Sequence, residues 1–165
     1  MEAFKFIRTG EDFLIRKMTS GDRALYYELA DEFYRSPAVL HPVPKAHYER
    51  TFEQMIAQDN PSVEGWLLLQ EGEPAGYAQL SFVWSNEAGG EAAWVEELYV
   101  RPAFQGRGLG AAFFRFLDGQ YAGRIRRVRL EVEPDNLGAR RLYERLGYEE
   151  LPYLQMYREV PEDDG

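Results

Sequence analysis

The stretch Gln105-Gly106-Arg107-Gly108-Leu109-Gly110 places three glycines within five residues. They stand where an apolar run, Leu98-Tyr99-Val100, gives way to a helical stripe of Leu109, Phe113, Phe116 and Leu117. A glycine-rich turn at that junction brings bare backbone N–H groups to the positive end of a helix dipole, which favours a phosphate. Two other phosphate motifs fit badly. A P-loop ends in Gly-Lys-Ser/Thr, which is absent here. The dinucleotide fingerprint Gly-x-Gly-x-x-Gly has a different spacing.

The flanks sharpen the reading. Upstream runs Glu96-Glu97-Leu98-Tyr99-Val100-Arg101-Pro102, an apolar strand that carries two acids. Downstream come Asn136, Ala139, Tyr143 and Leu146-Gly147-Tyr148. This ordered set resembles the GNAT superfamily of acyl-coenzyme A-dependent N-acetyltransferases. Gln105, Gly108 and Gly110 match its Gln/Arg-x-x-Gly-x-Gly/Ala pattern. The likeness is specific from about Trp94 to Tyr148, and the order of elements extends it over nearly the whole chain.

Those elements follow from periodicity and punctuation. Phe13–Met18 reads as a strand. Thr19 or Ser20 caps a helix through Leu25, Leu29 and Phe33, which Ser36-Pro37 ends. A loop with three prolines leads to a second helix, about 46–58, whose apolar face is Tyr48, Phe52, Met55 and Ile56; Asn60-Pro61 stops it. Trp66–Gln70 and Ala75–Trp84 read as a hairpin around Glu71-Gly72-Glu73-Pro74. Ala92–Val100 is the next strand, followed by the glycine loop and its helix. Ile125–Val132 is a strand. Asp135 or Asn136 caps a last helix that carries Ala139, Leu142, Tyr143 and Leu146 on one stripe, with Gly147 suited to its C′ position. Tyr153–Tyr157 reads as a final strand. The order β-α-α-β-β-β-α-β-α-β gives a mixed α/β domain, and the resemblance implies a mostly antiparallel central sheet flanked by helices.

Size and composition agree with one domain over 1–165, ending in an acidic tail from about 159 to 165. A hydrophobic content of 45% with 15% aromatics describes a folded chain. No apolar run nears the roughly 18 residues of a membrane span. Met1–Leu14 lacks the continuous apolar segment of a secretory signal, so the expected location is cytoplasmic. The absence of cysteine excludes disulfides, a thiol nucleophile and cysteine–metal sites. With His41 and His47 the only histidines, a histidine-rich zinc site is excluded as well, and no metal is expected.

The net charge of −9 disfavours nucleic acid. The charge is uneven, however. Residues 101–145 hold ten arginines against five acids, a net of +5, which leaves −14 on the rest. A polyanion is drawn to that segment and repelled elsewhere; for any single arginine, a solvated helix face is the competing reading.

The resemblance also implies roles. Acetyl-CoA is the cosubstrate and an amine the acceptor. The pyrophosphate meets the N–H groups of Gly106, Arg107, Gly108, Leu109, Gly110 and Ala111, next to Gln105. The pantetheine pairs with the backbone of Leu98, Tyr99 and Val100. Asn136 positions the pantetheine, with a helix cap as its plain alternative. Tyr143 protonates the departing thiolate, with core packing as the alternative. An alkyl ammonium, pKa near 10.4, must lose a proton before it attacks a thioester. A carboxylate can take that proton, directly or through water. Adjacent strand residues face opposite ways, so only one of Glu96 and Glu97 serves unless the strand is distorted. Glu97 is the first candidate and Glu96 the second; Glu131 and Glu133 are weaker alternatives. Tyr34, His41 and Trp84 are the named acceptor contacts, with Phe33, Tyr48 and Ser85 nearby in the same regions. Aromatic rings beside acids suit an ammonium group. A homodimer is allowed but no interface is legible. The competing functions are a non-catalytic acyl-CoA-binding regulatory domain and an interaction protein.

Overall fold

A computed structural model describes residues 5–9 and 11–162. Residues 1–4, on which the signal reading partly rests, and 163–165 of the acidic tail lie outside the described residues. The chain forms two compact units, Met1–Glu133 and Pro134–Gly165.

The first unit is a six-stranded sheet whose strands follow chain order. They are β1 (Lys5–Thr9), β2 (Glu11–Lys17), β3 (Val63–Gln70), β4 (Glu73–Ser85), β5 (Gly90–Val100) and β6 (Ile125–Leu130). Neighbours from β1 to β5 are antiparallel. β5 and β6 are parallel, because α3 (Leu109–Gln120) supplies the crossover between them. A short 3₁₀ turn, Ser20–Asp22, starts α1 (Arg23–Tyr34), and α2 (Lys45–Ile56) follows the proline loop. The Thr19 N–H donates to Asp22 Oδ2 at 2.8 Å, so the chain is pinned where the cap was expected.

Alternation along the strands separates two cores. Leu67, Tyr77 and Tyr99 pack with Tyr26, Leu29, Tyr48 and Phe52 of α1 and α2. Tyr26 stacks on Phe52 at 5.5 Å and meets the edge of Tyr77 at 5.4 Å. On the opposite face, Trp66 meets Phe116 of α3 at 4.8 Å, and Phe82 meets Tyr121 at 5.2 Å.

Two features of β5 shape the site. Gln79 pairs with Glu97 and Leu80 with Val95, so Glu96 is the extra residue of a β-bulge. Pairing with β6 ends at Val95–Leu130, while β5 stays paired with β4 as far as Val100. Beyond Val95, β5 therefore has one open edge. The Arg101 N–H donates to the Ala75 carbonyl at 2.8 Å, on the β4 side. By alternation, Tyr99 and Glu97 also turn their backbone groups to β4, and Val100 and Leu98 turn theirs to the open edge.

The second unit holds α4 (Leu137–Arg145). Asn136 is its N-cap, accepting the Ala139 N–H at 3.2 Å. At the other end the Tyr148 N–H bonds the Tyr143 carbonyl at 2.9 Å, and the Gly147 N–H bonds that of Glu144 at 3.0 Å. Gly147 has φ +89°, the left-handed conformation that this Schellman ending needs.

The sequence reading departs from the structure at both ends. β1 was not anticipated. The strand expected at Tyr153–Tyr157 is not formed; 149–162 carries neither helix nor strand. A strand exists only through its ladder. The segment is not one of the strands of the sheet among the described residues, and Tyr153, Leu154, Met156 and Tyr157 are 65–90% exposed. The expected alternation of helices and strands otherwise holds, within a few residues at each boundary.

Candidate active site

The bulge breaks the regular alternation of the two adjacent glutamates, whose partners Tyr77 and Ser81 share one face of β4. Glu97 shares the face of Tyr99 and Arg101, toward α1. Its Oε1 accepts the Tyr77 hydroxyl at 2.7 Å, and its Oε2 accepts the Tyr34 hydroxyl. Tyr77 is fully buried and Tyr34, the last residue of α1, is half-buried. Burial pushes the Glu97 carboxyl above the ordinary glutamate value; the hydrogen bonds from Tyr34 and Tyr77 oppose that rise, and Glu96 adds to it. Both phenols are pushed upward, first by burial and then by the Glu97 charge, so they stay protonated as donors.

Glu96 keeps an exposed edge while its carboxyl is desolvated by the surrounding chain. Burial raises its pKa, a hydrogen bond from Ser81 opposes this, and the Glu131 charge raises it further. The Glu96 carboxyl thus feels the Glu131 charge, and Glu97 feels that of Glu96, where β5 and β6 part. Tyr77 and Ser81 were not among the residues singled out from sequence. Both lie on β4, and only the register of β4 against β5 brings them to the acids.

Tyr34 is held by its neighbours. Its ring stacks on Tyr48 at 6.2 Å with 11° between planes and meets Phe33 at 5.1 Å. The other two acceptor candidates are not brought to Glu97. His41 is exposed in the loop between α1 and α2, and Trp84 is 79% exposed near the end of β4. Ser85 accepts the Ala88 N–H at 3.1 Å and shapes the β4–β5 turn.

The glycine loop has the form a phosphate site requires. Gly106 and Gly108 have φ of +76° and +80°, and an added Cβ at either meets no atom within 4 Å. The loop is therefore open rather than packed. Gly108 is the N-cap of α3 and offers no side chain to its first turn. The first carbonyl the helix engages is that of Gly108, bonded by the Ala112 N–H at 2.9 Å. The N–H groups of Leu109, Gly110 and Ala111 precede that bond and project from the helix end. Gln105 serves as a strut, its Nε2 donating to the Val100 carbonyl at 3.0 Å. Arg107 is exposed, with its guanidinium 5.7 Å from the Phe104 ring centre.

The positive segment is less positive than a count suggests. Arg101 pairs with Glu28 and Glu32, Arg124 with Glu91, Arg127 with Glu87 and Arg140 with Glu150. All those acids lie outside residues 101–145. Of the ten arginines, Arg107 is the one that belongs to the glycine loop itself.

Within the second unit, Tyr143 is half-buried and its ring lies 6.0 Å from that of Tyr148. Burial raises its pKa and keeps the hydroxyl protonated. The Asn136 side chain is engaged as the cap of α4.

The acetyltransferase (GNAT) family model matches residues 23–148, which spans the bulged strand, the glycine loop and α4. The chain belongs to this family. An uncharacterized N-acetyltransferase of Methanocaldococcus jannaschii is 31% identical over 153 residues, 91% of this GNAT chain and 65% of that protein. The chain thus spans just under two thirds of that relative's length. The aminoglycoside N(6′)-acetyltransferase type 1 of Klebsiella pneumoniae is 27% identical over 158 residues, covering 86% of this chain and 76% of its own. Among solved structures, AAC(6′)-Iy in complex with the bisubstrate analog CoA-S-monomethyl-acetylneamine superposes with a TM-score of 0.72 at 19% identity. That match covers 90% of this chain and 99% of the other, and it shows a shared fold. No helix among the described residues is long and apolar enough to cross a membrane.

Proposed function

We propose that this GNAT protein transfers an acetyl group from acetyl-CoA to a primary amine by direct attack, with Glu97 as the group that receives the amine's proton. The single observation that carries the reading is a half-buried carboxyl held between two phenols, beside a strand edge left open by the parting of β5 and β6. Its raised pKa brings a glutamate closer to neutrality, where a general base works best.

Acetyl-CoA supplies the acetyl group as a thioester. The N–H groups of Leu109, Gly110 and Ala111 suit its pyrophosphate, and the outward N–H groups of Leu98 and Val100 and the Leu98 C=O suit the pantetheine amides. An N–H of that open edge also suits the oxyanion that forms when the amine nitrogen adds to the carbonyl carbon. The C–N bond forms and the C–S bond breaks. Tyr143 holds a proton for the departing sulfur. Glu96 is the reserve base, and Asn136 orders the start of α4. No covalent enzyme intermediate is required, which suits a chain without cysteine.

For the acceptor we favour a small polycationic amine of the aminoglycoside kind over a peptide amino group. Glu96 interacts with Glu97 and with Glu131, and these negative charges favour such a cation; an aminoglycoside acetyltransferase is among the relatives. The test is thiol release from acetyl-CoA with neamine, spermidine, tyramine and an alanine-terminated peptide. Turnover with neamine or spermidine is expected. Turnover with the peptide alone would reverse the choice of acceptor, and turnover with none would remove the enzyme reading.

A further inference from the structure

The two oxygens of Glu97 are both engaged. Oε1 is held by Tyr77, which is fully buried, and Oε2 by Tyr34. An amine arriving from outside does not meet the fully buried Tyr77 hydroxyl, and the Oε2 it approaches already accepts from Tyr34. Tyr34 stands at the end of α1, where the chain leaves the core for the loop 35–44, in which Pro37, Ala38, Leu40 and His41 are exposed. Of the two phenols that donate to Glu97, Tyr77 is fully buried and Tyr34 is half-buried, so the Tyr34 side is the one nearer solvent. Its ring is fixed between Tyr48 and Phe33, so the hydroxyl oxygen keeps a defined position.

We infer that Tyr34 is a catalytic relay: its hydroxyl oxygen takes the proton of the acceptor ammonium while its own proton passes to Glu97 Oε2. The proposal rests on the acetyltransferase reading above and adds the route of the proton. The step balances without a co-reactant. One N–H bond of the ammonium breaks and an O–H bond forms at Tyr34. The former Tyr34 O–H bond breaks and an O–H bond forms at Glu97. The result is a neutral amine, a neutral phenol and a carboxylic acid. A phenolate never accumulates, in keeping with a phenol beside a carboxylate.

The role separates Tyr34 from a residue that only shapes the pocket. A relay matters when the amine arrives protonated and loses importance when it arrives neutral. A packing role is indifferent to the amine's charge. The test compares wild type, Tyr34→Phe and Glu97→Gln with whichever of neamine, spermidine, tyramine and the alanine-terminated peptide the wild type acetylates fastest. kcat/KM is read at pH 7 and at pH 9.5, where a larger share of the amine is neutral, whether it is an alkyl amine with a pKa of about 10.4 or a peptide α-amino group at about 8. The expected loss for Tyr34→Phe is about 100-fold at pH 7, the low end for general-base catalysis. At pH 9.5 the loss should shrink to below about 10-fold. The double variant should be no slower than Glu97→Gln alone, because both residues serve one transfer.

Equal losses at the two pH values, or a loss under about twofold at both, would overturn the relay while leaving the acetyltransferase reading intact. Wild-type inactivity on every amine would remove that reading, and the relay with it. Acetyl-CoA binding and the melting temperature of each variant show that it is folded.

Discussion

Tyr77 and Glu97 are twenty residues apart in sequence, yet the Tyr77 hydroxyl lies 2.7 Å from Glu97 Oε1 across the β4–β5 ladder. The contact depends on the bulge at Glu96, which shifts the register so that Gln79 pairs with Glu97 while Leu80 pairs with Val95. A hydrogen bond to the charged form favours that form, so Tyr77 restrains a pKa that burial drives upward. Tyr77→Phe removes that restraint. The acidic limb of the kcat/KM profile should move to higher pH, with a several-fold loss of rate at pH 7. A profile that stays in place would mean that its acidic limb belongs to some other group.

The same carboxyl makes a prediction for stability. The folded state holds the Glu97 proton more tightly than the unfolded chain, whose ordinary value is 4.5. Between that value and the raised folded one, folding takes up a proton, so stability falls as pH rises through the window. Below the window the penalty is absent, and above it the penalty is complete. Glu97→Gln carries no such term. Its melting temperature relative to wild type should therefore be higher at pH 8 than at pH 4. A difference that does not change with pH would contradict the burial of a charged Glu97.

How much of this was legible follows from how local each feature is. The glycine loop, the Asn136 cap and the Gly147 ending are each set by a few consecutive residues, and the sequence reading located them. The boundaries of α1 and α2 followed from Thr19, the prolines and Asn60 for the same reason. The bulge is different. Two adjacent glutamates on a regular strand face opposite ways, and only pairing with β4 reveals the extra residue. Tyr77 escaped notice because an aromatic on a strand reads as core, which it also is. The Tyr153–Tyr157 strand was expected from composition, but composition supplies no partner. The arginine-rich segment misled for a related reason. Glu28, Glu32, Glu87 and Glu91, which neutralise it, are distant in sequence and near only in the fold.

Gly76 tests the close approach of β4 to β5 beside the open edge. A Cβ there would lie 1.9 Å from the Tyr99 carbonyl oxygen, a backbone atom that cannot swing away. Gly76→Ala should cost about 3 kcal/mol or more, in the range reserved for backbone strain and core disruption. Denaturant unfolding measures it. A cost below about 1 kcal/mol would mean that the strands adjust without loss.

Tyr143→Phe separates chemistry from binding. Loss of a proton donor should lower kcat by about 100-fold or more and leave acetyl-CoA affinity within about threefold, since general acid catalysis contributes 10²–10⁴-fold. Pre-steady-state thiol release shows whether the slowed step is chemistry. Unchanged turnover would return Tyr143 to a packing role.

The most direct measurement is a calorimetric titration of acetyl-CoA into wild type and into Gly108→Ala. The account predicts one-to-one binding by wild type with micromolar affinity. In Gly108→Ala the left-handed backbone at φ +80° is strained by about 1–2 kcal/mol. Its affinity should fall about tenfold while the fold persists, because the added methyl meets no atom within 4 Å. Folded wild-type protein that gives no heat with acetyl-CoA would contradict the coenzyme site, and with it the proposed reaction.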